Sequence, residues 1–408
     1  MAILNTGPGI VLLDQNNSLV FGHESGFDYD SLTSRKHLFT VMDNDDNYDY
    51  YIIHFAHPSA LEYLNIHDLI PQPILDRVAD IEDNTMLLFT NTHESMESVP
   101  MHVYNFIERY NLPDSKCIIM SGANNILDLV NNYASKFNLR ALKTAKVVAF
   151  EDYMKKESVY HLEEYLSARK HENYLSYVPK KRFLSLNRRW RNYRPCVVSL
   201  LCAFNLLDNG YVSIAENDDG NKWEDFWNNT FEFGQHNRTV KEILINNEEK
   251  IRSLPELFLD IKDLSINQSN LQTSINDYYL DSLFSVVSET NFLSSTVLYD
   301  KVPDPGFFSE KTFKPIVYMH PFILVTTPNQ LPYLRELGYK TFSPLINESY
   351  DTIEDDGDRL LAIMDEIQRL SSMTNEEILR FKSECEPILI HNYKTLMNKK
   401  HYVHRLNY

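Results

Sequence analysis

The chain has 408 residues, and 57 acidic against 39 basic side chains give it a formal net charge of −18 at pH 7. With 43% hydrophobic and 24% charged residues it has the composition of a globular protein with sizeable cores, which excludes a disordered or fibrous chain. The acidity argues against a surface that grips nucleic acid over its whole extent and leaves room for a local basic site.

Only 11 glycines are present, well under the ~7% of average usage, which disfavours a mechanism built on several glycine-rich loops. Cys117, Cys196, Cys202 and Cys385 form no C-x-x-C pair and no metal-ligand spacing, as expected of free thiols in a reducing compartment. The opening MAILNTGPGIVLLDQNNS has neither the basic n-region nor the long apolar core of a signal peptide. No stretch approaches the ~20 apolar residues of a membrane span. A soluble, cytoplasmic protein without a Golgi-type anchor is expected.

Short apolar runs alternate with segments of helical period. The first half predicts strands at Ile10–Leu13, Leu38–Met42, Tyr51–Phe55, Met86–Phe89, Cys117–Met120 and Lys146–Phe150, with helices at Met101–Tyr110 and Asn125–Phe137. Asp14-Gln15-Asn16-Asn17, between two apolar runs, reads as a hairpin turn. A second series predicts strand Arg182–Leu186, helix Pro195–Leu207 and strand Tyr211–Ile214, then a polar stretch of helices and loops to about Asn276. It resumes with strand Leu283–Val287, helix Glu310–Tyr318, strand Phe322–Val325 and helix Pro328–Leu337, and ends in a mostly helical tail from Asp358 to about Lys399. The fold class this implies is α/β, with two Rossmann-like domains, 1–165 and 166–408, and a helical C-terminal tail. Ligands of such folds bind beyond the carboxyl ends of strands.

Lys180, Lys181, Arg182, Arg188, Arg189, Arg191 and Arg194 place seven cations and no acid within fifteen residues of an acidic chain. The last four fall between a predicted strand and a helix opened by Pro195, where free N–H groups favour an anion and arginine adds a fork matched to phosphate. Cations there disfavour the helix itself, so a diphosphate site is preferred to a solvated basic loop. In Phe308-Ser309-Glu310-Lys311-Thr312, Ser309 reads as an N-cap, with Glu310 and Lys311 in the first turn. A carboxylate there can accept two ribose hydroxyls and complements the helix dipole in any case, whereas an ammonium sits at the wrong end for the dipole and can reach a phosphate. Ser288-Glu289-Thr290-Asn291 follows a predicted strand about twenty residues earlier.

The runs FSVVSETNF and FFSEKTFKPIVYMHPFILVTTPNQLPYLRELGYKTF resemble the donor-binding region of GT-B glycosyltransferases, most of all the α-1,3-fucosyltransferase type. The run FLSLNRRWRNYRPCVVSLLCAFNLLDNGYVS is similar to the first strand–loop–helix of that domain in virus- and phage-encoded glycosyltransferases. The resemblance implies GT-B architecture and a nucleotide-diphosphate sugar donor, UDP- or GDP-linked, with no further cofactor. It implies that Glu310 holds the ribose, that Lys311 and Arg188 hold the diphosphate beside Asn187, Arg189, Arg191 and Ser309, and that Glu289 and Asn291 border the sugar. Ser309 stands for the family's Thr, Thr290 offsets Asn291, and Thr326-Thr327-Pro328 replaces an expected glycine.

The first half should present the acceptor and a base for an inverting displacement. Glu94 and His93, after MLLFTNT, are the candidates, with Glu151 and Asp152 after KVVAF as alternatives. Asp43-Asn44-Asp45 mimics a D-x-D metal motif and reads better as a polar hairpin turn. No zinc or P-loop pattern is present, so no metal is expected. A metal-independent glycosyltransferase is the expectation. Its acceptor is either a saccharide or a hydroxymethylated pyrimidine in phage DNA, and the alternative is a non-catalytic nucleic-acid- or glycan-binding protein.

Overall fold

A computed structural model of the chain describes residues 38–43, 46–55, 58–91, 97–147, 151, 154, 163–169, 174–187, 190–191, 193–216, 222–259, 276–294, 305–398 and 403–407. The chain divides into two compact units. One comprises Met1–Tyr153, Pro305–Phe308 and Lys399–Tyr408; the other comprises Met154–Asp304 and Ser309–Asn398. The first passage between them falls ahead of the expected boundary at 165/166.

The first unit is built on a six-stranded sheet of β1 (Leu38–Asp43), β2 (Asp46–His54), β3 (Thr85–Asn91), β4 (Cys117–Ser121), β5 (Lys143–Val147) and β10 (Val403–Asn407), in that spatial order. Strands β2 to β5 are parallel, and β1 and β10 lie antiparallel at the two edges. Every residue of β3 and β4 is buried, which is why MLLF and CIIM read as unbroken apolar runs rather than alternating ones. Helix α1 (Val99–Arg109) starts with Pro100 in its first turn and buries Val99, Val103, Phe106 and Ile107 in this core. Helix α2 (Ile126–Phe137) stops at Asn138, which takes the left-handed conformation at φ 55°. Asp43 of β1 pairs across from Asp46 of β2, and Asn44 and Asp45 of the Asp43-Asn44-Asp45 motif lie outside the described residues. The strand and hairpin expected between residues 10 and 17 lie outside the described residues.

The second unit has a four-stranded parallel sheet of β6 (Lys181–Leu186), β7 (Gly210–Ser213), β8 (Ser282–Ser288) and β9 (Phe322–Val325), ordered β7-β6-β8-β9. The chain leaves β6 for β7 on one side and later takes β8 on the other, so the order reverses between β6 and β8. Helix α3 (Arg194–Ala203), RPCVVSLLCA, is apolar nearly all round and is buried from Arg194 to Cys202. Helix α4 (Glu310–Val317) links β8 to β9, and α5 (Gln330–Glu336), α6 (Asp356–Ser371) and α7 (Asn375–Asn398) follow, giving the helical tail.

Both units are therefore α/β with parallel strands, but they are not alike. In the first unit β2 to β5 follow one another in spatial sequence, and among the described strands there is no reversal of the kind a doubly wound sheet has. The second unit has one. Crevices for ligands open where neighbouring crossovers depart to opposite sides. The carboxyl ends of β6 and β8 therefore mark the place to examine.

Candidate functional site

At the end of β8 stands Glu289, with no exposed surface. Its Oε1 accepts hydrogen bonds from Ser309 N (3.1 Å), Thr312 N (3.1 Å) and Thr312 Oγ1 (2.5 Å). Its Oε2 accepts from Ser309 Oγ (2.7 Å) and Thr290 N (2.9 Å). A buried carboxylate with five donors at a helix N-terminus is satisfied by the protein, both electrostatically and geometrically. The side chain fastens the start of α4 to the end of β8. Ser309 is the N-cap, as expected, and its Oγ accepts from Lys311 N at 3.3 Å.

The clamp leaves Glu310 and Lys311 partly exposed, with 21% and 27% of their side chains accessible. Lys311 Nζ lies 3.1 Å from Glu310 Oε1, 2.8 Å from Ser309 Oγ and 3.2 Å from Thr290 Oγ1. Burial alone would push the Glu310 carboxyl up, but the ammonium groups of Lys311 and Lys314 outweigh it and hold Glu310 below the usual carboxylate range. Glu310 is thus an ionised acceptor at the sheet edge. Lys311 has a structural partner in Glu310 that the sequence did not reveal, and it still presents a cation beside the helix N-terminus.

The basic run does not act as one patch. Lys180, Lys181 and Arg182 lie at the amino end of β6, roughly 13–20 Å from its carboxyl end at ~3.3 Å per residue. There Lys180 pairs with Asp281 (3.2 Å), Lys181 reaches the Asp208 carbonyl and Arg182 the Pro179 carbonyl. Arg194 is buried and donates to the carbonyls of Ser288 (2.9 Å) and Glu289 (2.8 Å), so it secures the end of β8 instead of facing a ligand. Arg191 is exposed in the loop after β6, while Arg188 and Arg189 lie outside the described residues. That loop is anchored by Trp190, whose Nε1 donates to Ala215 O (2.8 Å). It is anchored again by Tyr193, stacked on Phe292 and bonded through its hydroxyl to the Glu289 carbonyl. Asn187, fully buried at the end of β6, donates from Nδ2 to Ser185 Oγ (2.8 Å).

After β8, Asn291 is partly exposed and its carbonyl accepts from Thr326 Oγ1 (3.3 Å). The loop is held from below by Arg359, 1% exposed, whose guanidinium bonds Phe292 O (2.6 Å), Thr326 O (3.1 Å), Ile353 O (2.8 Å) and Asp356 Oδ1 (2.6 Å). The sequence reading missed Arg359, although a charged residue on the apolar face of the helix DGDRLLAIM was a usable signal. Among the expected residues, Glu289, Ser309, Glu310 and Lys311 come together at the carboxyl edge of β8.

In the first unit, His93, Glu94 and Asp152 lie outside the described residues, and Glu151 is buried. Among the described residues no group of three or more His, Cys, Asp or Glu side chains converges as metal ligands, and no helix is long and apolar enough to cross a membrane.

No protein-family model matches the chain, and no curated protein sequence matches it. Among solved structures it is similar to the N-terminal domain of trehalose-6-phosphate phosphatase from Candida albicans, at 8% identity over 85% of this chain and 68% of that one, with a TM-score of 0.38. It is also similar to an α,α-trehalose-6-phosphate synthase from Burkholderia multivorans (11% identity, 86% and 70% covered, TM-score 0.37). A glycosyltransferase from Rickettsia africae ESF-5 gives 10% identity, 85% and 87% covered, and a TM-score of 0.35. Likeness at this level does not carry an activity across.

Proposed function

We propose that the chain is a glycosyltransferase of GT-B architecture that moves a sugar from a nucleotide-diphosphate sugar, UDP- or GDP-linked, to an acceptor hydroxyl. One observation carries this reading: the ionised, partly exposed Glu310 and the adjacent Lys311 stand at a helix N-terminus on the sheet edge where the strand order reverses between β6 and β8. Glu310 suits the two vicinal ribose hydroxyls. Lys311, with Arg188 and Arg191 of the loop after β6, suits the diphosphate. As the glycosidic C–O bond breaks, charge builds on the departing phosphate oxygen, and fixed cations stabilise it without a metal ion. In an inverting displacement the acceptor oxygen forms the new bond as its proton passes to a base, for which Glu94 or His93 is proposed. A saccharide or a hydroxymethylated pyrimidine of phage DNA is the proposed acceptor, and a cytoplasm the proposed setting. The division of the basic run between two ends of β6 disfavours the alternative of a non-catalytic polymer-binding surface.

Thermal unfolding with UDP and with GDP tests the donor site. A ligand present at 100 times its Kd stabilises the native state by about 2.7 kcal/mol, so one nucleotide should raise Tm by several degrees. A Tm unmoved by both would overturn the reading. Incubation with nucleotide sugars and either hydroxymethylcytosine DNA or glycans, followed by mass spectrometry, then identifies the acceptor.

A further inference from the structure

Hydroxyl groups in the second unit's sheet are paired along the strands and unpaired at one edge. Ser185 Oγ accepts from Asn187 Nδ2 (2.8 Å), Ser282 Oγ donates to Tyr278 O (2.6 Å), and Ser285 Oγ bonds His320 Nδ1 (2.8 Å). At the carboxyl edge the pattern breaks. Asn187 Oδ1 beyond β6, Ser288 Oγ at the end of β8 and Thr327 Oγ1 beyond β9 have no hydrogen-bond partner, although the three residues are only 0%, 1% and 3% exposed.

The strands that carry them are neighbours. Phe183 pairs with Phe284 and Leu184 with Ser285, and Asn187 and Ser288 lie three residues further along their strands. Ser288 in turn pairs with Val325, two residues before Thr327. Buried polar atoms are nearly always paired, and leaving one unpaired costs about 1–3 kcal/mol. Of the thirteen such side-chain atoms among the described residues, these three stand at the carboxyl ends of β6, β8 and β9, where the strand order reverses. Thr326 and Arg194, beside them, are bonded to protein carbonyls, so backbone acceptors at this edge are within reach of side chains that are aimed at them.

We infer that Ser288 and Thr327, together with the Asn187 amide oxygen, are ligand-binding groups that extend the Glu310–Lys311 site across the ends of β6, β8 and β9. This rests on the donor-site reading above. Two hydroxyls that can donate, and one amide oxygen that accepts, match a ligand bearing both phosphate oxygens and sugar hydroxyls. The ligand supplies the partners that the folded chain withholds.

The prediction has opposite signs for stability and for binding. Thr327→Val and Ser288→Ala remove unpaired hydroxyls with little change of shape, so Tm without ligand should hold or rise. Affinity for the nucleotide or nucleotide sugar (UDP, GDP, UDP-glucose or GDP-mannose) that stabilises the wild-type chain should fall about 3–10-fold per variant, the scale of one neutral hydrogen bond. Thr327→Ser, which keeps the hydroxyl, should bind like wild type. If the wild type binds a probe while both variants bind it equally well, or if the variants lose Tm with binding unchanged, this inference alone falls. If no probe binds the wild type, the donor-site reading falls and takes this inference with it.

Discussion

Glu289 shows how a residue can be central to a site without facing a ligand. Its carboxylate is the shared acceptor for Ser309, Thr312 and Thr290, and these groups set where Glu310 and Lys311 begin. Glu289→Ala strands several buried donors at ~1–3 kcal/mol each, so urea denaturation should show a loss of about 3 kcal/mol or more, with Glu289→Gln losing less. A residue that only touched a sugar would leave stability unchanged. Glu310 should behave in the reverse way. Glu310→Ala should weaken nucleotide binding and Glu310→Gln should weaken it less, because the amide oxygen still accepts one ribose hydroxyl. A purely electrostatic partner of the helix end would cost only ~0.3–1 kcal/mol of stability and leave affinity alone. Titrating both variants with UDP and GDP and measuring their unfolding separates the two roles.

At the scale of elements, the joint between β8 and the start of β9 depends on a buried imidazole. His320 Nδ1 bonds Ser285 Oγ, and Nε2 lies 3.0 Å from the Ser282 carbonyl. Burial pushes its pKa down from 6.5 to about 3, helped by the positive charges of Arg169 and Lys382 and opposed by the bond to Ser282. The unfolded chain takes up a proton near 6.5 and the folded chain does not until about 3. The folded state is therefore fully favoured above pH 6.5 and loses stability as pH falls toward 3, at a limiting slope of ~1.4 kcal/mol per pH unit. Denaturation midpoints across that range should fall with pH, and His320→Gln should flatten this part of the profile. The seam between β6 and β7 is equally specific: a Cβ on Gly210 would lie 2.3 Å from the Phe183 ring. Gly210→Ala should therefore cost ~1–3 kcal/mol by overpacking, read as a lowered Tm.

Over the whole molecule, the chain passes between its two units four times, after residues 153, 304, 308 and 398. The last passage delivers β10, which pairs antiparallel with β5 and covers an edge of the first sheet. Uncovered strand edges lose ladder hydrogen bonds and invite association. Deleting residues 399–408 should reduce amide-exchange protection of Lys143–Val147 and promote self-association on gel filtration, while protection of Ser282–Ser288 stays unchanged. The second unit is tied end to end by its own clasp, in which Arg169 grips Glu386 with two bonds of 2.9 and 2.6 Å and Lys382 reaches the carbonyls of Tyr174 and Tyr177. Burial and the nearby Arg169 charge push the Lys382 ammonium down to about 8.

What was legible in the amino-acid order was local. Phe322–Val325 is a strand within its expected bounds because a short run buried on both faces must be apolar throughout. Ser309 caps α4 because caps are decided by neighbours a few residues away. Where the signal weakened, so did the boundary: β5 begins at Lys143, ahead of the expected Lys146, because its alternating KTAKV is less apolar than the overlapping KVVAF, whose residues 148–150 lie outside the described residues. Long-range pairing decided the rest. Nothing along the chain announces that β8 lies beside β6 or that β10 returns to β5. Nor does it announce that Lys180, Lys181 and Arg182 are held apart from Arg191 by the length of one strand, or that Glu289 and Arg194 turn inward. Those outcomes follow from which strands pair and which backbone groups they leave to be satisfied, and such pairings join residues a hundred or more positions apart.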